Sequence, residues 1–257
     1  MVQLTPLGGK NEDSRMLSLK NMPIILKNAN VPFVKKWFFG AEPQVLFLFM
    51  AIIIGVLLNM TDLYAEEIIL PKDIIGTPHD VIRMGHPTLR QKAKEVADPT
   101  DPKIQQAIAD MLATVNKIGV DQLVGLAAPQ INIPLQIFLF QVPVKRVNGD
   151  VQQTLPFTVV INPKIEPINE EKELGIEGCL SIPGLVGEVP RYKHIKYTYQ
   201  TLKGKKITKE AHDFHARVIQ HETDHLNGIL YLDLMEDIKR LYFAEEFKEY
   251  HQAVPTK

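Results

Sequence analysis

The sequence has few of the features that mark several large classes of protein. It has a single cysteine, Cys179, so no intrachain disulfide can form, and cysteine usage gives no support for secretion. Its 29 basic and 30 acidic residues nearly cancel, so no strong electrostatic field points to nucleic acid as a partner. We therefore expect no direct nucleic-acid binding. A length of 257 residues still allows a sizeable hydrophobic core.

Long apolar runs are also scarce. The longest, Val45–Leu58, has fourteen uncharged and almost wholly apolar residues, fewer than the ~20 needed to cross a bilayer unaided. Its length suits the apolar core of a signal peptide, and with its flanking residues it is a candidate membrane anchor. A buried core helix and a wrongly assigned start of translation are the alternatives. We interpret residues 1–74 as an N-terminal extension and residues 75–257 as a compact domain.

Within residues 75–257, the spacing of apolar residues predicts both helices and strands. Apolar residues with a period of 3.6 indicate helices, and segments rich in β-branched and aromatic residues indicate strands. The predicted helices are 102–118, 213–226 and 235–251, and the predicted strands are 135–142, 157–161, 193–201, 206–210 and 229–232.

The second predicted helix contains the pattern His221-Glu222-Thr223-Asp224-His225. On a helix this spacing places two imidazoles one turn apart on the same face, where they can bind a single metal ion. Glu222 is offset around the helix, close enough to take a proton from a metal-bound water without being a ligand. Such five-residue matches also occur by chance on surface helices. Alone, the pattern therefore predicts only a metallohydrolase.

Cys179 is a candidate for the third ligand, because a thiolate is a strong ligand for such metals. A Cys-His-His set leaves the fourth position open for water, as in catalytic rather than structural sites. Spacing alone does not show that Cys179 meets a histidine 42 residues later. The other six histidines are expected in solvent or in the core rather than on a metal: His79, His86, His194, His212, His215 and His251.

Three short segments together resemble the signature motifs of the peptide deformylase family. They are Gly125-Leu-Ala-Ala-Pro-Gln130, Glu177-Gly-Cys-Leu-Ser181 and Gln220-His-Glu-Thr-Asp-His225, in the family's order. The resemblance extends over about residues 75–245 and makes residues 75–257 the catalytic domain. It implies an α+β fold in which antiparallel β-sheets wrap around a central metal-binding helix, with a further helix near the C-terminus. The implied reaction removes the formyl group from the N-terminal formyl-methionine of newly synthesised polypeptides.

The resemblance also implies roles for individual residues. Cys179, His221 and His225 would be the metal ligands, and Glu222 the general base. The Gln130 side-chain amide and the Leu180 backbone N–H match the family's donors to the oxyanion that forms when hydroxide attacks a formyl carbon. The residues that would flank an extended substrate backbone are Val124, Gly125 and Gly178. Ferrous iron is the implied metal, and zinc, nickel and cobalt also suit this donor set.

Two positions depart from the family's usual pattern. Leu123 replaces the first glycine of the first motif, and Val186 stands where many relatives carry arginine. Both changes bear on substrate preference more than on chemistry.

Other functions and locations stay open at this point. A zincin-type metallopeptidase uses the same helix without the cysteine motif, and a non-enzymatic deformylase-like binding protein is the other alternative. Nascent formylated peptides and a transient association with the ribosome are the implied partners. A cytoplasmic location follows from that function, whereas Val45–Leu58 suggests a signal peptide, a membrane anchor or a wrongly assigned start.

Overall fold

The fold is described from a computed structural model, which covers residues 68, 70–71, 73–145, 151–154 and 157–251. Its helices are α1 (Pro102–Ile118), α2 (Asp213–Leu226) and α3 (Ala244–Tyr250). Its strands are β1 (Gly125–Ala127), β2 (Ile137–Phe140), β3 (Pro143–Lys145), β4 (Val151–Thr154), β5 (Thr158–Pro167), β6 (Lys172–Cys179), β7 (Ile182–Tyr192), β8 (His194–Gln200), β9 (Lys206–His212) and β10 (Leu241–Phe243).

The strands form antiparallel sheets. The largest has five strands in the order β1-β2-β5-β8-β9, a second has three in the order β10-β7-β6, and β3 pairs with β4. The β8–β9 hairpin was predicted from the sequence. It turns through Gly204, whose φ of 74° lies in the left-handed region that glycine adopts without strain.

Strand β2 is buried on both faces because apolar residues occupy every position in it. Ile137 and Leu139 point towards the side covered by α1, whereas Phe138 and Phe140 point towards the side covered by α2. The five-stranded sheet therefore lies between two hydrophobic layers. Helix α1 begins as predicted, with the Asp101 carboxylate accepting a hydrogen bond from the Lys103 N–H at 2.8 Å.

Helix α2 lies at the centre of the fold. It contacts β1, β2, β8 and β9 of the five-stranded sheet and β7 of the three-stranded sheet. Because it is covered from two sides, nine of its residues are buried. This confirms the expected arrangement of antiparallel sheets around a central helix.

Two predicted elements near the C-terminus differ from the structure. Residues Tyr231–Leu234 form a 3₁₀ turn, not a strand, because the Asp233 carboxylate accepts the Leu230 N–H at 2.8 Å and closes the turn. The helix expected near the C-terminus is confirmed as α3, but it is shorter than the predicted 235–251, and a 3₁₀ turn at Ile238–Arg240 and strand β10 precede it. Strand β10 forms because it pairs with the edge of β7, a long-range contact that helical periodicity does not indicate.

None of the helices in the described part of the chain has the length and apolar composition of a membrane span. The apolar run Val45–Leu58 lies outside those residues, as does most of the segment 1–74. The predicted boundary at residue 75 and the signal-or-anchor interpretation therefore stay predictions.

His215, on α2, gives a prediction about the pH dependence of stability. Its ring stacks on Phe140, and its Nε2 lies 3.2 Å from the Tyr197 hydroxyl. Burial lowers the pKa of His215 to about 4 from 6.5. As pH falls from 6.5 towards 4, the unfolded chain binds a proton that the folded chain does not. This histidine should therefore cost stability at roughly 1.4 kcal/mol per pH unit in that window and nothing above it.

Between pH 6.5 and pH 4, we expect the free energy of unfolding to fall less steeply in His215→Gln than in the unchanged protein. Urea unfolding at several pH values measures it. His251→Gln, at an exposed position, is the matched control and should keep the slope of the unchanged protein. Equal slopes in all three proteins would show that His215 does not titrate in this way.

Candidate metal centre

Helix α2 and the end of β6 bring three metal-binding side chains together. His221 and His225 lie one turn apart, with ring centroids separated by 5.1 Å. The Cys179 Sγ lies 3.3 Å from the His225 Nε2, and one ligand atom from each of the three residues lies within 4.8 Å of the others. All three side chains are buried. Cys179 and His221 are 42 residues apart in the sequence. Strands β7, β8 and β9 lie between them and fold so that the two residues come close together.

Cys179 reaches the helix because the β6–β7 ladder is irregular at that point. The strand register shifts between Gly178 and Cys179, so that Cys179 pairs with Ile182 across a turn of two residues, Leu180 and Ser181. Irregularities of this kind bend a strand and redirect its side chains. Here the bend places the thiol beside the helix.

The donor set fits a single divalent transition metal ion. The His221 Nδ1 lies 2.8 Å from the Glu177 carboxylate, which leaves its Nε2 for a metal. Burial raises the pKa of the Cys179 thiol and lowers the pKa values of both histidines in the protein without metal. Neutral imidazoles are the form that binds metal, and a bound cation would deprotonate the thiol.

Glu177 holds His221 in place through a buried network of charges. Its carboxylate accepts hydrogen bonds from Arg191 at 2.8 and 2.9 Å and from Arg217 at 2.8 Å. Burial alone would raise the pKa of Glu177, but the hydrogen bonds from Arg191 and His221 hold it well below its usual range. Arg191 also pairs with Asp224, one residue before His225. The Glu177 carboxylate, which orients His221, is therefore ionised and held in place by several hydrogen bonds.

Glu222 lies between the two histidines and is almost wholly buried. Its Oε2 has no hydrogen-bond partner among the described residues. Burial, with the negative charges of Glu177 and Asp224, raises the pKa of Glu222 to about 7. A carboxyl group with such a pKa can exchange a proton near neutral pH.

Comparison with known proteins agrees with this geometry. A family model described as polypeptide deformylase matches residues 78–241. Peptide deformylase 1 of Bordetella pertussis is 42% identical over 167 residues, which cover 65% of this chain and 93% of that protein.

The chain belongs to the peptide deformylase family.

Solved structures of other deformylases share the fold. The crystal structure from Thermotoga maritima is 36% identical, with a TM-score of 0.52, and the match covers 62% of this chain and 98% of that one. A deformylase of Acinetobacter baumannii with bound Met-Ala-Ser is 32% identical, with a TM-score of 0.54. The match covers 63% of this chain and 100% of that one.

Gly125, on β1, lies against the Glu222 side chain. A Cβ atom added at Gly125 would lie 2.3 Å from the Glu222 Oε1 and 2.6 Å from its Cδ. The family resemblance implied that this glycine flanks the substrate backbone. The structure adds a different reason for it, because the space that a side chain would take is already filled by the carboxylate.

Gly125→Ala should therefore displace the Glu222 carboxylate. We expect kcat to fall, and the free energy of unfolding to fall by about 1–3 kcal/mol through overpacking. Kinetics and urea unfolding measure the two effects. The double variant Gly125→Ala/Glu222→Ala is the control, because removing the carboxylate opens the space and should recover the lost stability. An equal loss of stability in both backgrounds would place the clash elsewhere.

Gln130 is wholly buried against the metal centre of the deformylase. Its Oε1 accepts a hydrogen bond from the Ala127 N–H at 2.9 Å, which fixes the orientation of the amide. Its Nε2 then faces the Cys179 Sγ at 3.4 Å and the Ser181 Oγ at 3.3 Å. The amide N–H group therefore lies beside the centre, at the residue for which the family resemblance implies an oxyanion donor.

The remaining predicted site residues lie on two neighbouring segments. Leu180 is in the turn between β6 and β7, and Gly178 is the partly exposed residue just before Cys179. Val124 is buried directly before β1, and its carbonyl accepts a hydrogen bond from the Gln141 N–H at 2.8 Å. Their roles towards donors and substrate are taken up below as proposals.

Sequence reasoning missed the network behind His221. Glu177 was part of a recognised motif but was given no role, and Arg191 and Arg217 were not singled out. One signal was present: Glu177 and Cys179 are two residues apart, and on a strand residues at that spacing place their side chains on the same face. For the arginines no short-range pattern existed, because β7 and α2 meet β6 only in the folded chain.

Proposed function

We propose that this protein hydrolyses the formyl group from the N-terminal formyl-methionine of newly synthesised polypeptides, releasing formate and a free amino terminus. The observation that carries the proposal is the buried cluster of Cys179, His221 and His225 with Glu222 beside it, in a chain of the deformylase family. The related A. baumannii enzyme binds Met-Ala-Ser, the peptide that remains when formyl-Met-Ala-Ser loses its formyl group.

Cys179, His221 and His225 would hold the metal, with the His221 imidazole oriented by Glu177. A divalent metal ion in this place supplies Lewis acidity, which polarises a carbonyl and lowers the pKa of water. Ferrous iron is proposed as the native metal on the family resemblance, and zinc, nickel and cobalt suit the same donors. Metal analysis of protein purified without oxygen, with the activity of each reloaded form, tests this choice.

Glu222 would move the proton of the reaction. The carboxylate accepts a proton from water as the oxygen attacks the formyl carbon, and returns it to the leaving nitrogen as the carbon–nitrogen bond breaks. A buried carboxyl group with a pKa raised to about 7 suits both steps, because it can hold and release a proton at neutral pH.

Gln130 and Leu180 would stabilise the negative charge that develops on the formyl oxygen. The Gln130 amide is fixed by its bond to the Ala127 N–H, so its donor group needs no reorganisation during the reaction. The Leu180 backbone N–H would be the second donor, from the turn that follows Cys179. Val124, Gly125 and Gly178 would line the extended substrate backbone, because their two segments border the centre.

A comparison of two peptides tests the activity. The full chain, loaded with ferrous iron without oxygen, is incubated with formyl-Met-Ala-Ser and, separately, with a peptide blocked at both ends. We expect formate from the first and no cleavage of the second. Cleavage of the blocked peptide would favour a metallopeptidase, and a folded, iron-loaded protein that releases no formate would favour a binding protein. Neither alternative has a specific observation in its support.

We further propose that residues 75–257 form the catalytic domain and residues 1–74 an extension that directs the enzyme to nascent chains at the ribosome or at a membrane surface. The extension has basic residues before its apolar run, which suits an anionic surface. Sedimentation of the full chain and of a chain starting at residue 75 with ribosomes, and with lipid vesicles, separates the two locations.

A further inference from the structure

A second cluster of metal-binding side chains lies at one end of the β8–β9 hairpin. His194 on β8 is directly opposite His212 on β9, and their rings stack with centroids 3.8 Å apart. The His194 Nε2 lies 2.9 Å from the Glu210 Oε2. One ligand atom from each of these three residues lies within 4.8 Å of the others.

We propose that His194, Glu210 and His212 bind a divalent transition metal ion of intermediate softness, of the class of Zn²⁺, Ni²⁺ or Cu²⁺. Two imidazoles and one carboxylate form a donor set that these ions prefer over Mg²⁺ or Ca²⁺. The sequence assigned the two histidines to surface or core positions. Only the strand register brings them together.

The backbone places all three residues on one face of the hairpin before any ion binds. Glu210 and His212 are two residues apart on β9, so both side chains leave the same face of the sheet. His194 is their cross-strand neighbour on that face, and cross-strand Cβ atoms lie about 5 Å apart. The donors therefore need only side-chain rotations to converge, which keeps the entropic cost of binding small.

The charges around the cluster leave Glu210 available for a cation. The nearby Lys193 pairs with Glu171 at 2.8 Å, and Lys196 pairs with Glu166 at 2.6 Å. Both lysines thus pair with carboxylates other than Glu210. Among the described residues, Glu210 forms its ion pair with His194, a group that would itself be a ligand. Binding of a metal would replace that pair with two stronger bonds to one ion.

This second site is accessible and separate from the first. The Glu210 side chain is 60% exposed and that of His194 is 22% exposed, so an ion can enter and water can complete its coordination. His212 comes directly before helix α2, and the eight residue steps from Asp213 to His221 correspond to about 12 Å along the helix axis. One ion cannot bridge that distance. The two sites therefore bind independently.

Counting bound metal tests the proposal. The full chain, with its first site already loaded with zinc, is dialysed against zinc above neutral pH, where imidazoles are unprotonated. We expect two zinc ions per chain. His212→Gln and His194→Gln should each lower the affinity for the second ion by more than about tenfold, because even the loss of an outer-shell partner costs 10–100-fold. His251→Gln, an exposed histidine outside both clusters, is the matched control and should keep two.

Cobalt distinguishes the two sites by their spectra. Cobalt bound at the first site should give thiolate-to-metal charge-transfer absorption, because Cys179 is the chain's one cysteine. The second equivalent of cobalt should add no such absorption. His212→Gln should no longer bind this second equivalent but should still bind the first. A single zinc ion in the unchanged protein, or two in both histidine variants with native circular dichroism, would overturn the proposal. Formate release should stay unchanged in these variants. The experiment therefore distinguishes failure of the second-site proposal, which rests on metal counts, from failure of the proposed activity, which rests on formate release.

Discussion

Replacing Glu222 with alanine is expected to lower kcat by about 10²–10⁴-fold, the usual contribution of a general acid–base group. The metal should stay bound, because Cys179, His221 and His225 are unchanged and Glu177 still orients His221. The variant should also be no less stable than the unchanged protein. The Glu222 Oε2 is buried without a partner among the described residues, and removing such an atom removes a desolvation cost.

Three measurements check this prediction together: formate release, metal content per chain and urea unfolding. Glu222→Gln is the matched variant, since it keeps the shape of the side chain and removes only its ability to take a proton. Both variants should be inactive and fully loaded. Loss of metal along with activity would instead assign Glu222 a part in holding the ligands.

Replacing Cys179 with alanine should have the largest effect on metal binding. It removes the one charged donor and leaves two neutral imidazoles, so the affinity should fall by well over the 10–100-fold that an outer-shell change costs. Activity should fall with it. Cys179→Ser keeps an oxygen donor of similar size and should retain part of the metal, because a hydroxyl is a weaker ligand than a thiolate.

Metal content after dialysis against a weak chelator measures the effect. Charge-transfer absorption of the cobalt-loaded protein gives an independent signal, which should vanish in both cysteine variants since no other thiol exists in the chain. His86→Gln, outside both clusters of metal-binding residues, is the control for non-specific loss. Equal metal in the unchanged protein and in Cys179→Ala would take Cys179 out of the ligand set.

The parts of this protein that the sequence predicted are those with local signals. Helix α1 has an Asp101 cap, a proline at its first position and a glycine at its end. The β8–β9 hairpin has alternating residues and a turn glycine. His221, Glu222 and His225 lie within one helical turn, so their spacing alone predicted their common location. Cys179 was added by resemblance, and the structure confirms that it lies beside His225.

The parts that were wrong or missing depend on distant pairing. The residues of strand β10 lie in a segment with the apolar spacing of a helix, yet they pair with the edge of β7. Tertiary contacts therefore outweighed the local preference. Arg191 reaches Glu177 across the β6–β7 ladder, and Arg217 reaches it from α2. No spacing rule relates positions that meet only through a sheet. The same reason hid the neighbouring positions of His194 and His212.

The two arginines on Glu177 bear on how this enzyme exchanges its metal. They hold the carboxylate, and through it the His221 ring, by contacts that do not involve a metal ion. We therefore expect His221 to keep its orientation when one ion leaves and another enters. We then expect the supply of suitable metals around the protein to influence which ion it binds.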